Sequence, residues 1–137
     1  MGTFNQNILP ASSGLNLGSL LQSWNVYANT ITVINNVTAL SNVTGSISVA
    51  PVNLVNLVTM TLTGNITTHT FTGTSLAAGS IVVYKIVQNN TGGYTFAWPA
   101  AFVQPPTVGA SANQATWQAF MWDGTNCVPL GPGIYNP

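Results

Sequence analysis

This chain holds one histidine (His69), one acid (Asp123), one cysteine (Cys127) and one cation (Lys85). Acid–base, nucleophilic or metal chemistry would have to be built from these. Glycoside hydrolysis needs a pair of carboxylates, and Asp123 has only the chain's C-terminus for company. A Ser-His-Asp relay could draw only on His69 and Asp123. Asp123 is followed by Gly124 and reads as a turn residue; His69 lies in "TTHTFTG" and reads as a strand residue among threonines. Cys127 has no evident cation to lower its thiol pKa, and being single it offers no disulfide within the chain. One His and one Cys cannot complete a zinc site, although three copies of a trimer could gather His69 on their axis. The expectation is therefore a non-enzyme with no catalytic residue, no bound metal and no cofactor.

Composition points the same way. The chain has 137 residues, the size of one domain that buries a core without staples. Its hydrophobic content of 46% is ordinary, but its charged content is 1%, against about 25% in a typical soluble domain. Thr, Asn, Ser, Gln and Gly take the place of charges. Copies of such a chain repel one another little, and near-zero net charge favours association. A single cation cannot supply the phosphate contacts of nucleic-acid binding or the attraction to an anionic membrane. The longest apolar stretch, "SLAAGSIVVYKIV", is interrupted by Ser80, Tyr84 and Lys85, so no membrane insertion is expected. "MGTFNQNILP" has neither a basic nor an apolar signal-peptide region. The sequons at Asn36, Asn42, Asn65 and Asn89 are read as products of an Asn- and Thr-rich composition.

The elements that must position these residues read as strands. "VNLVTMTLTG", "THTFTG" and "SIVVYKIVQN" alternate with period two, the last with Ile81, Val83 and Lys85 on one face and Val82, Tyr84 and Ile86 on the other. "ATWQAFMWDGTNCVPL" reads as two strands about the Asp123-Gly124 turn. "QNNTGGYTFAWP" reads as a hairpin whose turn holds Gly92 and Gly93 and whose second strand stops at Trp98-Pro99. Lys85 reads as an exposed or edge-protecting residue. Most of the aromatics, Trp24, Trp98, Trp117 and Trp122 among them, read as core or subunit seam, with a subset available as a platform for sugar rings. The expected fold is all-β: an antiparallel β-sandwich or jelly-roll-like domain at 45–131, preceded by an extended N-terminal arm and connector at 1–44 and followed by a tail at 132–137. A short helical turn is expected near Ser19–Ser23.

The order of the pieces carries a further signal. Gln88-Asn89-Asn90-Thr91-Gly92-Gly93, Trp98-Pro99 and Asp123-Gly124-Thr125-Asn126 follow one another around two strands. This resembles a module of tail fibres and other virion surface proteins of tailed bacteriophages, in which Gln-Asp-x-Thr-Gly-Gly-Arg precedes a Trp-Pro. "LNLGSLLQSWNVYANTITV", with Trp24 and Tyr27, is similar to a second fibre segment. Asn89 stands where Asp is frequent in the family and Tyr94 where Arg is frequent, which removes the ionic contacts of those motifs. The resemblance implies a structural role for Trp24, Tyr27, Gly92, Gly93, Trp98, Pro99, Asp123 and Gly124. It implies a homotrimer on the virion surface, joined by its arm to other virion proteins and presented to neutral host glycans as a short fibre or appendage. A capsid decoration protein is the alternative in the same setting. A bacterial or archaeal surface-filament subunit assembled by strand exchange is the alternative from another class.

Overall fold

The structure, a computed structural model, describes residues 36–137. Trp24, Tyr27 and the turn expected near Ser19–Ser23 lie outside the described residues. Among those described, every regular element is a strand: β1 (Asn36–Val49), β2 (Val55–Phe71), β3 (Ile81–Gln88), β4 (Ala115–Trp122), β5 (Cys127–Pro129) and β6 (Ile134–Asn136). They form one six-stranded sheet in the order β1-β2-β3-β4-β5. β6 shares the outer edge of β4 with β5: β5 pairs with Phe120–Trp122 and β6 with Ala115–Trp117. β1 runs through residues 44 and 45 without a break, and residues 134–136 are β6.

The all-β class is as expected, but the pairing is not purely antiparallel. β1 pairs with β2, and β2 with β3, in parallel; β3–β4, β4–β5 and β4–β6 are antiparallel. Period-two alternation records which face of a strand is buried, and it is the same for either direction. "VNLVTMTLTG" and "THTFTG", read as two strands, are one continuous β2.

Parallel neighbours ordinarily need a crossover of about a dozen residues or more. Here residues 50–54 join β1 to β2, and residues 72–80 join β2 to β3. Bent strands make this possible. Laid straight, the 17 residues of β2 would reach about 56 Å, well beyond the width of a domain of about a hundred residues. Residue 49 is six residues from the start of β2, a reach of at most about 21 Å. The far ends of both strands must therefore return over their own beginnings.

The corner is visible in the register, which slips between Leu40 and Ser46 of β1. Asn42 and Gly45 take positive φ there (53° and 71°), as residues of a β-bulge do. Opposite them Gly64 of β2 lies against Thr44, and a Cβ on Gly64 would overlap the Thr44 hydroxyl. Before the corner β2 alternates strictly between buried and half-buried residues; after it the buried positions are Ile66 and His69. Ile47, Val49 and Ile66 of the far halves join Val58, Tyr84 and Phe120 of the near halves in one core.

The expected hairpin at "QNNTGGYTFAWP" is not formed. β3 ends at Gln88, and the chain then crosses to the far half of β2, where Phe96 makes a short parallel bridge to Ile66. Ile66 N donates to Thr95 O (2.9 Å) and Ala97 N donates to Ile66 O (3.0 Å). Positive φ at Gly92 and Gly93 (72° and 81°) reverses the chain, but the partner lies in β2 rather than in β3. The hairpin expected at Asp123-Gly124 is formed, with Trp122 opposite Cys127.

Candidate functional site

The residues able to do chemistry are buried or engaged in turns. His69 is buried near the end of β2, with only 8% of its surface exposed. Its ring meets Tyr84, Phe96, Trp98 and Phe102 at centroid distances of 5.4 to 6.5 Å. Its Nε2 is 3.2 Å from the Tyr84 hydroxyl, while Nδ1 has no protein partner. Burial pulls the imidazole down to about 4 from its ordinary 6.5 and pushes the Tyr84 phenol well above its usual range, with Cys127 a smaller contributor to the latter. Aromatic rings of its own chain enclose His69, which disfavours a metal site shared on an axis between copies. Among the described residues no three His, Cys, Asp or Glu side chains gather as a metal site would require.

Asp123 is a turn residue. Its Oδ1 accepts from Thr125 N (2.7 Å) and Asn126 N (2.6 Å). The Asn126 and Thr125 amides, in that order, hold its carboxyl below the usual carboxylate value. Cys127 is buried and free. Burial first, and then the nearby Asp123 charge, push its thiol up to about 12, which suppresses the reactive thiolate.

The motif residues hold loops together. Gln88, fully buried at the end of β3, donates from Nε2 to Tyr94 O and Gly109 O (both 2.8 Å) and accepts from Tyr94 N (3.2 Å). Asn89 Oδ1 accepts from Thr91 N (2.8 Å) and Gly92 N (3.2 Å). Gly92 sits so close to the next loop that a Cβ would come within 2.7 Å of Ala110 O and Ala112 N. Trp98 donates from Nε1 to Pro106 O (2.9 Å), and Pro99 O accepts from Phe102 N (3.0 Å). The loop thus lays Phe96, Trp98 and Phe102 over the core. Phe102 meets Phe120 at 4.8 Å with planes at 90°, and Tyr84 at 5.6 Å with planes at 83°, the edge-to-face geometry aromatic rings prefer.

Sequence reasoning missed the buried amides of Asn56, Gln88 and Gln118. A signal was present: Gln88 continues the inward series Val82, Tyr84, Ile86, and Gln118 stands between inward Thr116 and Phe120. A buried amide must be hydrogen-bonded, so each marks a loop that folds back onto it.

The other face of the sheet carries exposed apolar residues, Val37, Met121 and Ile134 among them. Val37, Leu57, Val83 and Ala119 stand in one cross-strand row; Val55, Ile81 and Met121 form the next. Lys85, Trp117 and Ile134 lie in a third. Lys85 is paired on both sides, by Thr59 and Trp117, so it does not guard an edge as expected. Its ammonium lies 5.0 Å from the Trp117 ring centroid, a cation–π contact. Beside it a groove of about 650 Å³ runs between Val83, Trp117, Leu130, Ile134 and Tyr135. Its polar neighbours are already engaged: Gln118 Nε2 donates to Ala119 O (2.8 Å) and Gly131 O (3.0 Å), and the Tyr135 hydroxyl donates to Thr107 O (2.7 Å). No family model, curated protein or solved structure matches the chain.

Proposed function

We propose that this chain is a structural subunit of a tailed-phage virion, a short fibre or surface appendage displayed on the particle. It would work as a homo-oligomer, a trimer by preference, with its N-terminal arm joined to other virion proteins. The bent sheet, with its far half over its near half, would act as a small sandwich-like module. The observation that supports this reading most is the engagement of the motif side chains. Gln88, Asn89, Trp98 and Asp123 all bond to backbone groups of their own chain. His69 and Cys127 are held in uncharged forms inside the fold. Such a module serves as a rigid, weakly titrating building block. Contact with neutral host glycans belongs to the same proposal.

One observation favours a second reading. Among the described residues β1 is paired on one side alone, and its 14 residues include neither proline nor charge; such edges accept added strands. A filament subunit that donates its arm to the edge of the next copy would use that property.

Electron microscopy with gold-labelled antibody to the purified chain separates these readings. Label at the tail supports the fibre, and label spread evenly over the shell supports a decoration protein. Label along cell-surface filaments, with particles bare, sinks the phage reading. Glycan-array binding by the purified protein tests the host contact separately.

A further inference from the structure

We propose that the outer face of the sheet, centred on Val83 and Trp117, is the surface through which copies of this chain pack against one another. This deepens the homo-oligomer part of the reading above and rests on that part alone, whatever particle or filament the chain belongs to.

The face is apolar where a solvated face would be polar. The inner face of the same strands carries the core, so an antiparallel or mixed sheet with one wet side should alternate apolar with polar residues. β3 does not: its outward residues are Ile81, Val83, Lys85 and Val87. Val37 is 59% exposed, Met121 37% and Ile134 66%. Contiguous apolar surface of this kind marks an interaction site.

The size of the face suits a protein partner. β3 and β4 each run eight residues. The near half of β2, β3 and β4 are each about 26 Å long and about 4.8 Å apart, and with the shorter ranks of β1 and of β5 and β6 they cover roughly 500 Å² in projection. The accessible surface of such a ridged face is larger, which brings it near the ~800 Å² per partner of a standard interface.

Chemistry selects a second copy. The only charge on the face is Lys85, drawn over Trp117, so a charged partner gains no complementary ion pair. The groove beside Trp117 has its Gln118 amide and Tyr135 hydroxyl already bonded within the chain, which leaves little to satisfy the hydroxyls of a sugar. A neutral apolar surface is what remains, and this chain carries one and has no net charge to oppose self-association.

The test uses the full chain, with its mass in solution measured by light scattering. The expected wild-type mass is a multiple of 14.3 kDa. The Val37→Glu/Ile134→Glu variant changes two exposed positions and should fall to the monomer mass with an unchanged far-ultraviolet dichroism spectrum. Tryptophan emission should shift to the red as Trp117 meets water. Thr70→Glu, exposed on the far half of β2, should keep the wild-type mass. Should the double variant lose its dichroism, Met121→Lys is read in its place. A wild-type monomer at micromolar concentration overturns the proposal, as does an oligomer that survives every outer-face substitution. A monomer that binds glycans through Trp117, lost in Trp117→Ala, overturns it in favour of a sugar platform. Failure here leaves the microscopy of labelled particles unaffected, and the reverse also holds.

Discussion

The hydroxyl of Tyr84 lies 3.2 Å from Nε2 of His69, yet the backbone of Tyr84 is paired with Val58 of the same strand that carries His69. A straight strand would hold residues 58 and 69 about 36 Å apart. The contact therefore exists only because β2 turns back on itself at Gly64, and it joins the two halves of the bent sheet. Burial at that junction, rather than the contact itself, disfavours the charged forms of both side chains, and a proton added to the imidazole would be a buried charge with Nδ1 unpaired.

Stability should fall as the solution is acidified. His69 takes its proton near pH 6.5 when unfolded and near pH 4 when folded. Between those values the unfolded chain binds more protons, so the stabilisation is complete above about pH 6.5 and is lost progressively towards pH 4. A loss of at most about 3 kcal/mol over that window is expected, reduced to the extent that solvent screens the ring. Asp123 acts the other side of it: its lowered carboxyl pKa contributes above the ordinary carboxylate value and is lost only at more acid pH. Urea unfolding at several pH values measures the slope, and His69→Gln should flatten it. Equal slopes in both proteins would refute the assignment.

Gly64→Ala should destabilise the protein by about 1–3 kcal/mol, the usual cost of forcing atoms into a packed site. The added methyl meets the Thr44 side chain across the corner. Thr44→Gly in the same chain should return part of that loss, and the coupling is read from a double-mutant cycle. Strictly additive losses would mean that the corner does not depend on this approach.

Gln88→Leu should cost about 3 kcal/mol, because it strands Tyr94 N, Tyr94 O and Gly109 O without their partner. Hydrogen exchange at the Tyr94 amide should accelerate with it. A variant as stable as the parent would show that these loops are held by other contacts.

Cys127 should resist thiol reagents in the native protein and react at once in denaturant. Its buried thiol, pushed up to about 12, is scarcely ionised at neutral pH. Stoichiometric labelling with a chromogenic disulfide, with and without urea, checks this. Fast native labelling would place the thiol at the surface.

The sequence by itself determined the local pattern. The two faces of β3, the Asp123-Gly124 turn and the all-strand character follow from alternation, β-branched residues and turn chemistry, each decided within a few residues of itself. It also determined, through one cation and one acid, that no ionic surface could form. The tertiary structure alone decided that β1, β2 and β3 run parallel and that two expected strands are one bent β2. It alone placed Phe96 beside Ile66 rather than in a hairpin with β3, enclosed His69 in aromatic rings and folded the loops at Tyr94 and Gly109 onto Gln88. These features depend on partners far away in the chain. A strand's period is the same whichever way its neighbour runs, and a glycine permits a corner without requiring one. Only the packing of the far half on the near half selects the parallel register, and with it the apolar face that the sheet leaves outward.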